Sequence, residues 1–203
     1  MPKIDLKKEN KEFYYPSTKD VSMVDVPEMK FLMIDGRGDP NTSQEYQDAM
    51  ETIFPVSYKT KFISKKEKSQ DYVVMPLEGL WWADNMEEFS THDRSSWKWT
   101  VMIRQPDFIT QSMINKAIKE LEKKKNLPAI PKLRFESFKE GQSVQIMHIG
   151  PYGEAEAPAF NKLHDFIENN GYLLKGKHHE IYISDMRRTK PEKLKTVIRQ
   201  PFE

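Results

Sequence analysis

A short string occurs twice in this chain, and that repetition restricts the folds open to it. Thr100-Val101-Met102-Ile103-Arg104-Gln105-Pro106 returns near the C-terminus as Thr196-Val197-Ile198-Arg199-Gln200-Pro201, one residue shorter but with the same Ile-Arg-Gln-Pro ending. Four shared residues carry little weight alone, but the segments upstream correspond as well. Phe31-Leu32-Met33-Ile34-Asp35-Gly36 leads into a Gly/Pro turn, as Val144-Gln145-Ile146-Met147-His148-Ile149-Gly150-Pro151 does, and each run precedes a helical pattern. In the first half Thr42 and Glu45 read as a capping box, Tyr46, Ala49, Met50 and Ile53 follow at helical spacing, and Pro55 marks the end. In the second half Phe160, Leu163, His164 and Ile167 mark one helical face, closed by Asn169-Asn170-Gly171. A strand with an acidic residue follows each helix, Val73 to Trp82 and His178 to Ser184, and then the Ile-Arg-Gln-Pro strand.

Each half therefore reads as strand, helix, strand, strand. Short extended pieces, Ser22 to Val26 and Leu133 to Phe138, are expected to hairpin onto the first strands through Pro27-Glu28 and Glu140-Gly141. A further helix from a Thr110 cap to about Asn126 joins the halves, and Leu127-Pro128-Ala129-Ile130-Pro131 is a stiff linker. Lys123-Lys124-Lys125 suits the C-terminal end of that helix dipole and needs no nucleic acid to explain it. The fold class is α+β: one domain over residues 1–203, with tandem duplicated units of antiparallel sheet over about 21–126 and 132–203. A pseudo-twofold ligand groove is expected at their join.

With 32 basic and 31 acidic residues, the chain has no global field drawing it to nucleic acid or an anionic membrane. It has no cysteine, which excludes disulfides and thiolate chemistry and fits a reducing compartment. The N-terminal MPKIDLKKENKEF lacks the apolar stretch of a signal peptide, and no run approaches the ~20 apolar residues of a membrane span, so a cytoplasmic location is expected. No cofactor or metal is expected. The histidines at 92, 148, 164, 178 and 179 include no i, i+4 pair, Gly36-Arg37-Gly38 is not a phosphate loop, and no nucleophile elbow occurs.

The candidate chemistry sits on His178-His179-Glu180-Ile181-Tyr182-Ile183-Ser184. Alternation puts His178, Glu180 and Tyr182 on one face, while Ile181 and Ile183 are expected to pack on helices. In the first half Glu78, Leu80 and Trp82 share a face, so two carboxylates, Glu180 and Glu78, are expected to look into one cleft. A carboxylate among rings is poised either as a base or as the counter-charge to a cationic ligand; an exposed surface acid is the plain alternative for both. Trp82, Trp99, Tyr152, Phe160, His178 and Tyr182 are the expected ligand-binding residues, with Trp81 in the core and Tyr14 and Tyr15 on a segment that either folds across the groove or simply packs.

Pro76-Leu77-Glu78-Gly79-Leu80-Trp81-Trp82, Ile149-Gly150-Pro151-Tyr152, His178 to Asp185 and Leu194 to Pro201 together resemble the GyrI-like small-molecule-binding family, over roughly residues 21–202. The resemblance implies a tandem fold also used as the drug-sensing domain of multidrug-responsive regulators and in a gyrase-inhibiting protein, with a groove glutamate that Glu180 matches. The paired tryptophans and the His-His-Glu strand resemble stand-alone members described as cyclopropanoid cyclopropyl hydrolases, which open the strained ring of DNA-alkylating natural products inside an aromatic cage. Carried over, that implies roles for Glu180, Tyr152 and Trp82, and for Glu78 and Trp99. The partner implied is a planar hydrophobic or cationic small molecule, not nucleic acid or membrane, met by a monomer or weak dimer. A non-catalytic binder that sequesters drugs, and a gyrase-interacting inhibitor, are the competing functions.

Overall fold

The computed structural model describes residues 3–84 and 94–203, so His92 lies outside the described residues. In chain order the elements are α1 (Leu6–Glu9), α2 (Lys11–Tyr14), β1 (Ser22–Arg37), α3 (Gln44–Lys68), β2 (Glu78–Trp82), β3 (Lys98–Gln105), α4 (Gln111–Glu122), β4 (Arg134–Ile149), α5 (Ala157–Asn169), β5 (His178–Tyr182) and β6 (Lys195–Pro201). The fold is α+β with antiparallel strands, and each sequence half supplies strand, helix, strand, strand, as the repeat predicts. The strands do not stay with their own half, however: β2, from the first repeat, pairs with β5 of the second. The chain divides into two compact units, one of residues 1–6, 29–75 and 94–138, the other of residues 7–28, 76–93 and 139–203.

In the first unit β1 pairs with β3, and α3 packs on α4. Helix α3 buries Ala49, Thr52, Ile53, Val56, Thr60 and Ile63, a stripe at helical spacing that continues past Pro55. This corrects the expectation that Pro55 ends the helix. One lost backbone hydrogen bond is outweighed by a stripe in which each buried Val or Ile is worth ~1.5–3 kcal/mol. The N-cap is Ser43, not Thr42; its side chain accepts from the Tyr46 N–H, while Glu45 instead accepts from the Arg37 N–H. Helix α4 starts at its Thr110 cap as the sequence indicates, and ends at Glu122.

In the second unit the strands run β2-β5-β6-β4, all antiparallel. Helix α5 lies on one face of this sheet, where Leu163 and Ile167 pack against Val144, Ile146, Ile198 and Phe202. It ends at Asn169, with Asn170 as its C-cap followed by Gly171, whose φ of +74° is the left-handed turn the Asn-Asn-Gly run forecasts. The expected hairpins at Pro27-Glu28 and Glu140-Gly141 do not form. Both segments are continuous 16-residue strands, β1 and β4, with Gly141 (φ +78°) absorbing a bend inside β4. The repeated Ile-Arg-Gln-Pro motif buries its glutamine in both units: Gln105 accepts from the Tyr72 hydroxyl, and Gln200 donates to the Lys175 carbonyl. Among the described residues no helix is long and apolar enough to cross a membrane.

Candidate functional site

Register decides which side chains meet. In an antiparallel pair, directly opposed residues point to the same face. Glu180 opposes Gly79 on β2 and Ile198 on β6, and Ile198 belongs to the core under α5. Glu180 therefore lies on the sheet face that carries α5. His178 shares that face, and its ring lies 5.1 Å from Phe160 of α5. The expectation that the helix packs on the isoleucine face is corrected here: Ile181 points the other way, because α5 covers the even-numbered residues of β5.

Around Glu180 the sequence brings together what alternation foretells. The Tyr182 hydroxyl donates to Oε2 at 2.6 Å, and the other carboxylate oxygen, Oε1, sits 3.2 Å from His178 Nε2. Tyr152 meets the Tyr182 ring edge-on at 5.3 Å. Phe160 lies between His178 and His164, whose ring centroid is 4.0 Å from its own. Burial, then the neighbouring His178, holds His164 below the usual imidazole range, which keeps that ring neutral. Burial, followed by the charges of Glu156, Glu180 and Asp185, pushes the Tyr152 phenol up to about 12, so it stays a hydrogen-bond donor.

Gly79 completes the wall. A Cβ there would fall 2.6 Å from Trp81 Nε1, so the Trp81 indole lies over the bare backbone directly opposite Glu180. Trp81 is buried, as expected, with its indole on the Glu180 face of the strand. Trp82 points to the opposite face and stacks under Lys177, with Nζ 3.3 Å from the ring centroid. Trp99 is fully buried in the first unit, packed over Gly36 and edge-on to Tyr46, with its Nε1 donating to the Gly38 carbonyl. Sealed in that way, it has no free surface to offer a ligand.

Glu78 does not share the face of Glu180. It opposes Ile181, one step out of register, and is buried in an ionic cluster on the other side of the sheet. There His179 lies between two carboxylates, Nε2 3.1 Å from Glu78 and Nδ1 2.9 Å from Glu140. Two acceptors require both ring nitrogens to donate, so the imidazole is a cation. Burial alone would lower its pKa, yet Glu140 and Glu78 raise it to about 9. Burial would likewise raise the pKa of Glu140, but His179 and Arg199 bring it down to about 2. Arg199 binds Glu140, Gln145 and the Phe13 carbonyl, and Tyr14 donates to Glu78, so the cluster ties α2 to the sheet. Tyr14 is part of this interior, whereas Tyr15 is exposed. Two cations balance two anions, and every member is nearly sealed from water. Such a cluster fixes structure and leaves no oxygen for a ligand. Among the described residues no group of three His, Asp or Glu side chains is arranged to hold a metal ion.

On the other flank of α5 lies a groove of about 370 Å³ lined by Ile146, His148, Ala159 and Lys162 among others. It contains no carboxylate and none of the residues singled out from the sequence.

A family model for the GyrI-like small molecule binding domain matches residues 19–203. The chain belongs to the GyrI-like family. Among solved structures, this GyrI-like chain is similar to an uncharacterised conserved protein from Listeria innocua (40% identity, TM-score 0.91, covering 99% of this chain and 100% of the other). It is equally similar in sequence to a Listeria innocua protein described as a hydrolase (40% identity, TM-score 0.87, covering all of both chains). The EcmrR C-terminal domain shares the fold at 15% identity and a TM-score of 0.56, covering 91% of this chain and 97% of the other. No protein of curated function matches the chain. Small-molecule binding is therefore the function of this domain class. Within the GyrI-like chain, Trp81, His164 and Glu156 join the Glu180 neighbourhood without having been singled out as site residues from the sequence. For Trp81 the available signal was Gly79, a residue with no side chain one step from a tryptophan at i+2 on the same face.

Proposed function

We propose that this GyrI-like chain binds planar, conjugated small molecules, neutral or cationic, against the Glu180 face of the second unit, and that it hydrolyses the cyclopropane ring of DNA-alkylating cyclopropanoids there. The observation that carries the reading is a carboxylate held by a phenol at 2.6 Å and an imidazole at 3.2 Å, with the Trp81, Tyr152 and Phe160 rings about it. Flat rings stack on flat rings, and a carboxylate supplies counter-charge to a cation. The likeness to a Listeria innocua hydrolase at 40% identity along the whole chain supports a hydrolytic rather than a purely sequestering role.

The step proposed is simple. A water molecule held by Glu180 attacks a cyclopropane carbon. Its oxygen forms the new C–O bond, the strained C–C bond breaks, and that electron pair passes into the conjugated carbonyl. Glu180 takes the proton lost by water, and the enolate or phenolate product takes up a proton in turn. Tyr182 and His178 fix the carboxylate so that its remaining lone pairs face the water. General-base catalysis of this kind contributes ~10²- to 10⁴-fold.

Incubating the purified protein with a cyclopropane-bearing alkylator, and following the mixture by mass spectrometry, tests this. A product one water heavier, formed over many turnovers and lost in Glu180→Gln, is the expected result. Saturation after one equivalent with the compound recovered intact would show sequestration instead, and undiminished turnover by Glu180→Gln would remove Glu180 from the mechanism.

A further inference from the structure

We propose that Glu156 is a positioning residue for Tyr152, latching the loop that carries this ring over the Glu180 face, and that it thereby sets ligand affinity. The inference rests on the reading of that face as the ligand site. Glu156 is an acid buried to 6% exposure. Its Oε2 accepts from the Gly153 N–H at 2.6 Å, and its own N–H donates back to the Gly153 carbonyl at 2.8 Å. This reciprocal pair closes the turn over residues 153–156 just before α5. Gly153 sits at φ +86°, where a residue with a side chain is strained, so without the latch its neighbours are free to leave this geometry.

The other end of the loop is anchored independently. The Gly150 N–H donates to the Leu194 carbonyl, and His148 Nε2 lies 3.1 Å from the Pro151 carbonyl. Tyr152 is suspended between these two anchors, meeting the Tyr182 ring edge-on at 5.3 Å, and Tyr182 in turn donates to Glu180. A charge-assisted hydrogen bond to a backbone N–H is a strong restraint for so short a loop. Acting through the ring rather than on the substrate, Glu156 belongs to affinity and not to the chemical step.

The test uses the full-length protein with rhodamine 6G as a planar cationic probe, read by fluorescence anisotropy, alongside turnover of the cyclopropane-bearing alkylator. Glu156→Ala is expected to raise the Kd of the probe and the KM for the alkylator about tenfold, the equivalent of ~1.4 kcal/mol, with kcat within about twofold of wild type. Glu156→Gln keeps an acceptor oxygen for the Gly153 N–H and is expected to restore both. In a Tyr152→Ala background Glu156→Ala is expected to add nothing, because the two changes remove one interaction. Additive effects, a Glu156→Gln variant as impaired as Glu156→Ala, or a collapse of kcat in Glu156→Gln would each overturn the proposal. A ligand-free readout separates this from the functional reading itself. With 3-fluorotyrosine at position 152, a single ¹⁹F resonance is expected in wild type and Glu156→Gln, shifted or broadened in Glu156→Ala. An unchanged spectrum defeats the latch even if the ligand site stands; a changed spectrum with no effect of Glu180→Gln or Tyr152→Ala on either ligand defeats the site while the latch remains.

Discussion

Glu78 and Glu180 sit on adjacent strands of one sheet, one residue out of register, and their surroundings differ in every respect that governs chemistry. The Glu78 side chain is 2% exposed and is held by a histidine that also bonds a second glutamate, Glu140, which Arg199 binds in turn. The Glu180 side chain is 15% exposed and is held by a phenol and by a histidine. Near-complete enclosure on one face and partial access on the other separate the two: the inner carboxylate secures the sheet and α2, while the outer one keeps 15% of its side-chain surface exposed.

The largest effect that would break this comparison is on turnover. Glu180→Gln is expected to lower kcat by ~10²- to 10⁴-fold while leaving the melting temperature close to wild type. Equal losses of activity and stability would mean that the outer acid is structural as well. Next comes the inner cluster: Arg199→Leu leaves Glu140 buried beside one cation fewer and is expected to destabilise the fold by ~3–5 kcal/mol in urea unfolding. Activity per folded molecule should hold. Gly79→Ala perturbs the Glu180 face itself, because its methyl group collides with the Trp81 indole; a loss of ~1–3 kcal/mol and a weakened probe affinity are expected. An unaltered Trp81 emission spectrum would place the indole elsewhere.

A pH titration of stability sharpens the same contrast. The raised pKa of His179 contributes stability that is complete below its ordinary 6.5 and fades as pH rises through about 9. The depressed pKa of Glu140 contributes stability that is complete above its ordinary 4.5 and fades as pH falls toward about 2. The cluster should therefore stabilise most between pH 4.5 and 6.5. In Arg199→Leu the acid limb should move to higher pH, since Glu140 loses one of the two cations that hold its proton off. The smallest effect expected is that of Trp82→Phe, which should leave probe affinity within about twofold, whereas Trp81→Phe weakens it several-fold.

Much of the fold was legible in the chain. The Thr110 cap, the Asn-Asn-Gly stop of α5 and the order of elements in each half follow from local chemistry, and local chemistry is read directly from residues. Where a local rule met a longer stripe of buried side chains, the stripe prevailed, as at Pro55 of α3. The site was only half legible, for one reason. Alternation correctly groups His178, Glu180 and Tyr182 on a strand, but it says nothing about how β2 is registered against β5, and a one-residue shift exchanges the faces of Glu78, Trp81 and Trp82 together. Trp99 went astray differently: its burial depends on the bare backbone of Gly36 across the ladder, a long-range contact that spacing within a strand does not encode. Glu156 was visible as an acid before a helix, yet its bond to Gly153 matters only because of what Tyr152, between the two anchors, overlies.

The most direct measurement is a crystal structure of the Glu180→Gln protein soaked with an intact cyclopropane-bearing compound. The compound should lie on the α5-bearing face among Trp81, Tyr152 and Tyr182, with its strained ring within one water of residue 180. Density for the compound beside Trp82 on the opposite face, or in the groove lined by His148 and Lys162, would contradict it.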